Sequence, residues 1–150
     1  MDVEQFKQLS ALMERVIHKY DQIESRPRDW GSGIPLSRPE IHTVMLLAGE
    51  PGISVTAVAK RRGITKGAAS QMLYKLVDKG LVDKRTSPDS DAQVSLFLTP
   101  QGQRVNERHN EYHRTAAQPL YEYLRSLPED TFQALVGVME HFDAAMDEQL

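Results

Sequence analysis

"ISVTAVAKRRGITKGAASQMLYKLVDKGLVDKR", residues 53–85, is the stretch on which the reading of the fold turns. Ser54 stands where a cap for VTAVAKRR is needed, and Gly63 stands where that helix must stop. Thr65 caps the following KGAASQMLYKLVDK, which Gly80 ends. Two helices joined by a turn as short as Gly63-Ile64-Thr65 predict a helix-turn-helix. In the second helix Ala68, Ala69, Met72, Leu73, Leu76 and Val77 form an inward stripe at helical spacing. That leaves Lys66, Gly67, Ser70, Gln71, Tyr74 and Lys75 on the outer face. Small residues at the amino end let a helix backbone approach a groove. Ser70 and Gln71 offer hydrogen bonds to base edges, while the lysines and Tyr74 suit phosphates.

Working outward, the period changes after Gly80. LVDKRT, a turn at SPDSDA and then QVSLFL predict a two-stranded hairpin, which directly behind a helix-turn-helix is a wing. Upstream, residues 3–24 place Phe6, Leu9, Leu12, Met13, Val16, Ile17, Tyr20 and Ile23 on one face of a long amphipathic helix. SRPRDWGSGIPLS, 25–37, reads as a loop, and Ser37 with Glu40 forms a capping box for a helix to about Ala48. Downstream, Thr99 with Pro100 opens a helix reaching about Arg125. Ser126 with Glu129 is expected to cap a last helix carrying Phe132, Leu135, Val136, Met139, Phe142 and Met146. The terminal stripes exceed what a small core needs to cover, which predicts pairing with a second copy.

Composition narrows the function classes. With 40 % hydrophobic and 26 % charged residues in 150, one folded unit is expected rather than extensive disorder. No run approaches the roughly 18 apolar residues of a membrane span, and MDVEQFKQLS lacks the pattern of a signal peptide, so a cytoplasmic protein with no membrane partner is expected. The absence of cysteine excludes disulfides and thiolate chemistry. The net charge of -3 hides an asymmetry: residues 60–86 hold eight basic and two acidic side chains, net +6, which leaves -9 elsewhere. A basic segment in an acidic chain is the footprint of a surface that meets phosphate, and a solvated charged face is the plainer alternative.

"HNEYH", 109–113, sets two of the five histidines four apart. On a helix that spacing puts both imidazoles on one face, the geometry a single tetrahedral metal asks of two ligands. A zinc hydrolase would want glutamate directly after the first histidine. Asn110 stands there, and Glu111 lies about 160° round the helix. No nucleophile–base pair or phosphate loop is evident either, so no enzyme is expected. A metal-free packing cluster and a pH-responsive one remain as alternatives. Near the first loop, Tyr20, Arg26, Arg28 and Trp30 gather aromatic and cationic side chains, and a tryptophan so placed is more often simply a loop anchor.

The 53–85 stretch, followed by "LFLTPQG" at 96–102, resembles the MarR family of winged-helix transcription regulators, and the order of elements extends the resemblance over nearly the whole chain. The resemblance implies a mainly α fold with a small β-wing: one unit over 1–150, a winged helix-turn-helix DNA-binding part at 37–99, and helical dimerisation parts at 1–25 and 100–150. It implies a homodimeric regulator, expected to be a repressor, reading a pseudo-palindromic double-stranded operator with one helix in the major groove and the wing at the minor groove.

One departure from the family concerns the wing tip, which usually carries Asp-x-Arg. Here the tip reads Pro88-Asp89-Ser90-Asp91-Ala92-Gln93, with Ala92 or Gln93 at the arginine position. Lys84 and Arg85 at the wing base are therefore expected to make the phosphate contacts, and substituting either should weaken DNA binding more than Asp91→Ala does. The acidic tip also motivates a competing expectation, a ligand-binding or interaction protein that kept the fold but lost operator binding.

No cofactor is required. Similarity to the zinc-responsive uptake repressors of the family implies a zinc ligand set of Glu24, His42, His109 and His113. The cysteine of a second metal site in that group is replaced by Trp30. Similarity to organic-acid-responsive members of the family implies in turn an aromatic acid stacking on and pairing with Tyr20, Arg26, Arg28 and Trp30, so a zinc ion or a small aromatic acid is the expected kind of effector.

Overall fold

The computed structural model describes residues 2–87 and 90–148. The chain divides into two compact units, Met1–His109 and Asn110–Leu150.

The first unit opens with α1, Val3–Glu24, whose first turn is closed by a capping box between Asp2 and Gln5. The segment read as a loop contains a small antiparallel pair, β1 (Arg28–Asp29) with β2 (Pro35–Leu36). Asp29 Oδ1 accepts the backbone N–H groups of Gly31, Ser32 and Gly33, which turns the chain between those strands. Helix α2, Arg38–Gly49, starts at the expected capping box: Glu40 Oε2 accepts from Ser37 N at 2.8 Å and from Ser37 Oγ at 3.0 Å. β3, Ile53–Ser54, leads into α3, Val55–Arg62, and α4, Lys66–Asp78.

Each cap read from the sequence is in place here. Ser54 Oγ accepts from Ala57 N, Thr65 Oγ1 accepts from Ala68 N, and Gly63 ends α3 in the left-handed region at φ 63°. A residue with a Cβ at that φ would be strained, so the turn between the helices needs glycine. The wing is β4, Val82–Ser87, antiparallel to β5, Ser90–Leu98. It differs from expectation in two respects. The strands reach further than LVDKRT and QVSLFL, taking in Ser90 to Ala92, and β3 pairs with β5 (Ile53 opposite Leu96) to give a three-stranded sheet in the order β3-β5-β4.

The core of this unit is Leu36, Ile41, Val44, Leu47, Val58, Ala69, Leu73, Leu76, Leu81, Val82, Leu96 and Val105, all but withdrawn from solvent. It joins α2, α3, α4, the sheet and the start of α5, Pro100–Arg125. Burying a leucine or valine side chain contributes about 1.5–3 kcal/mol, so this cluster is what fixes the helix-turn-helix. Ala68 corrects the predicted inward stripe: it is exposed, in the first turn of α4, while Ala69, Leu73 and Leu76 are buried.

The second unit holds the rest of α5 and α6, Glu129–Asp147. Ser126 does not cap α6. Its hydroxyl donates to Tyr123 O at the end of α5, and Pro128 occupies the N-cap position without a side-chain bond. No helix among the described residues is long and apolar enough to cross a membrane.

Candidate nucleic-acid interface and histidine cluster

Helix α4 is two-faced. With Ala69, Leu73 and Leu76 buried, the side chains of Lys66, Ser70, Gln71, Tyr74 and Lys75, and the backbone at Gly67, are exposed together. Tyr74 is 67 % exposed, well above what packing alone would leave for an aromatic side chain on a core helix. The orientation follows from the helical period: the buried positions are three and four apart, so the intervening ones share the opposite face. Gly67 has only its own cap, Thr65 Oγ1, within 4 Å of a notional Cβ, which leaves the amino end of the helix open to a bulky partner.

The two wing-base cations are exposed but do not act from one face. Successive side chains of a strand point to opposite sides, and Lys84 pairs in register with buried Leu96 whereas Arg85 pairs with Ser95. Arg85 and Phe97 therefore share the face away from the core, and Arg85 Cζ lies over the Phe97 ring at 4.4 Å from its centroid. Of the predicted wing tip, Pro88 and Asp89 fall outside the described residues, as do the side chains of Ser90 to Gln93. Elsewhere in the basic segment, Arg61 is engaged internally, with Nε and Nη2 on the two carboxylate oxygens of Glu50 at 2.8 and 3.3 Å.

Three of the four proposed zinc ligands lie in the first unit. Glu24, with its side chain buried at the end of α1, sets Oε2 3.6 Å from His42 Nε2, and the His42 and His109 rings are 6.5 Å apart between centroids. His109 is buried and meets Trp30 edge-on at 4.8 Å. Burial lowers the His42 pKa, the nearby Arg62 charge adds to this, and the Glu24 carboxylate only partly offsets it. Its neutral imidazole, the form that ligates metal, is thereby favoured. His113 lies in the second unit, edge-on to Tyr112. The donor types suit zinc, yet among the described residues no three histidine or acidic side chains are placed to hold a metal ion.

Trp30, Arg26 and Arg28 line a cleft with Glu24, Leu36, Arg38 and Ile41, and Arg28 stands 5.9 Å from the Trp30 ring centroid. The cleft volume is about 10 Å³, roughly room for one water and not for an aromatic acid. Tyr20 is exposed on α1 and is not among its lining residues. Sequence reasoning did not find Phe97 or Glu50 as partners of the cationic side chains, because neither pairing follows a helical or strand period.

Residues 33–91 match the model of the MarR family. The HTH-type transcriptional regulator YhjH of Bacillus subtilis is 26 % identical over 110 residues, which is 73 % of this chain and 63 % of that protein. The chain thus spans under two thirds of that relative's length. Among solved structures, Streptococcus pneumoniae FabT in complex with DNA aligns with a TM-score of 0.72 at 17 % identity, covering 99 % of this chain and 100 % of that one. Lactococcus lactis ZitR, a zinc-responsive MarR family member, aligns at 0.65 and 18 % identity over 94 % of this chain and 98 % of its own. Its complex with DNA aligns at 0.68.

Segment match, relatives and fold point the same way: the chain has a winged helix-turn-helix fold, and its residues 33–91 are similar to the MarR family, while the matched relatives are named as transcription regulators.

Proposed function

We propose that the chain acts as a homodimeric repressor, laying α4 in the major groove of a pseudo-palindromic operator. The observation that carries this reading is the uncovered face of α4, where Lys66, Gly67, Ser70, Gln71, Tyr74 and Lys75 stand exposed over a helix whose other side is locked into the core. Gln71 and Ser70 read base edges, and Lys66, Tyr74, Lys75, Lys84 and Arg85 hold phosphates. Pairing covers the apolar stripe of α1, in which Phe6, Val16 and Ile17 are each more than half exposed, and that of α6, with Val138 and Met139. Two copies then present two α4 helices to half-sites about one helical turn apart.

Selection from a pool of random duplexes, followed by gel shift, tests the reading. An enriched inverted repeat is the expected result. No enrichment at low salt would instead favour the fold-retaining interaction protein.

A second reading is that zinc tunes the affinity. It is favoured by the contact of Glu24 with His42 and the closeness of His109, and by the resemblance to a zinc-responsive relative. The chain's part would be to supply Glu24, His42, His109 and His113 as donors, with His42 held at low proton affinity and within reach of the Glu24 carboxylate. An aromatic acid at Trp30 is the other effector, and it requires the narrow cleft to open. Titrating chelator-stripped protein with zinc, beside a His109→Ala/His113→Ala variant, decides for the metal if one tight site is lost in the variant.

A further inference from the structure

An arginine that holds DNA must be ordered enough to lose little entropy on binding and must keep its N–H edge unspent. Arg61 fails the second condition, since its fork already grips Glu50. Arg85 meets both in a different way. Its Cζ lies over the Phe97 ring at 4.4 Å from the centroid, so the cation rests on the ring face. A guanidinium held on a ring face spends no N–H donor on that contact, and its donors stay available to a partner such as phosphate. Arg85 and Phe97 are diagonal neighbours across β4 and β5, because Arg85 is paired with Ser95 two residues before Phe97.

The ring is itself braced. Gly52 sits at φ 85° and donates its N–H to Leu96 O at 2.8 Å, and a Cβ at Gly52 would lie 3.4 Å from Phe97 Cζ. The turn before β3 thus rests against the tip of the ring, with no side chain between them. Phe97 is only partly buried, so one part of it meets the turn while its face receives the arginine.

We infer that Phe97 is a positioning residue for DNA binding: it holds Arg85 at the base of the wing with its N–H edge open to a backbone phosphate of the duplex. This rests on the DNA-binding reading above. It gives the chain an ordered wing cation where residues 88–93 contain no lysine or arginine.

The test has two arms. In the free protein, proton–nitrogen correlation spectra of the arginine side chains should show the Arg85 Hε signal displaced by the ring current of Phe97, and Phe97→Leu should abolish the displacement. An undisplaced Arg85 signal in the native protein would overturn the inference whatever the DNA result.

In the second arm, fluorescence anisotropy on the selected duplex compares the native protein with Phe97→Leu, Phe97→Trp, Arg85→Gln and the Phe97→Leu/Arg85→Gln double variant. Thermal melts identify any variant that folds poorly. Phe97→Leu should weaken binding about two- to fivefold, the size of one cation–π contact, and Phe97→Trp should restore it. Arg85→Gln should also lower the salt slope by about one. In the double variant, loss of Phe97 should add nothing. Equal weakening by Phe97→Leu with and without Arg85 would make Phe97 merely structural and refute the positioning role. A native protein that binds no duplex at any salt would remove both readings, whereas native binding with an inert Phe97→Leu removes this one alone.

Discussion

Lys79, in the capping position after α4, donates its ammonium to Glu40 Oε1 at 2.7 Å and to the Pro35 carbonyl at 3.3 Å. Glu40 is buried in the first turn of α2, and its other oxygen closes the capping box with Ser37. One carboxylate therefore ends one helix and begins another, fixing the carboxyl end of the candidate recognition helix against α2.

That shared carboxylate makes stability depend on acid. Burial by itself would raise the Glu40 pKa, but the hydrogen bonds from Lys79 and Ser37 and the Lys79 charge outweigh it and hold the value below the usual carboxylate range. A depressed folded value means that the stabilisation is complete above the unfolded pKa, near 4.3, and is lost as pH falls through the folded one. Urea unfolding of the native protein and of Glu40→Gln should differ by about 1–3 kcal/mol at pH 7, and the difference should shrink below about pH 4. A difference that stays constant down to pH 3 would contradict this account.

Gly102 packs on backbone: an added Cβ would overlap the Leu81 carbonyl oxygen, which already accepts from Thr99 N at 3.1 Å. Gly102→Ala should destabilise by about 1–3 kcal/mol in thermal or urea melts, despite alanine's better helix propensity. A variant as stable as the native chain would mean that α5 can shift freely off β4.

On the DNA side, Gln71→Ala should relax base preference at one position per half-site, worth about 1–3 kcal/mol of discrimination, with the rest of the site unchanged. Lys66→Gln should instead weaken all sequences alike. Binding-site selection with each variant separates the two, and a Gln71→Ala profile identical to the native one would remove Gln71 from base reading.

Trp30 is the only tryptophan and touches His109. If zinc engages His109, the Trp30 emission should change on addition of one equivalent per chain and not in His109→Ala/His113→Ala. A tight site that forms with silent tryptophan emission would place the metal away from His109.

The helix-turn-helix was legible because its punctuation is chemical and local: Ser54, Gly63 and Thr65 each act within three residues of themselves. The exposed side of α4 followed from its period. Ala68 was misplaced because a small residue in a first turn carries little information about which way it faces. Two-residue strands such as Ile53–Ser54 have no period to detect, and the Asp29 turn that builds β1 and β2 looks like any polar loop. Ser126 followed by Glu129 imitates a capping box, but Pro128 occupies the cap and the serine bonds backward to Tyr123. Lys79 with Glu40 and Arg85 with Phe97 are contacts between segments, set by how α4 meets α2 and by strand register. Only the fold brings those residues together.

The Glu50 fork on Arg61 has a kinetic consequence. Of the eight cations counted in residues 60–86, Arg61 and Lys79 close their field lines on Glu50 and Glu40, which lie outside that segment. At a distance each pair behaves as a dipole and exerts little pull on an approaching polyanion. The rate at which this surface captures a duplex should therefore reflect fewer charges than its sequence advertises, and freeing Arg61 by Glu50→Gln should quicken encounter at low ionic strength without a new contact in the bound state.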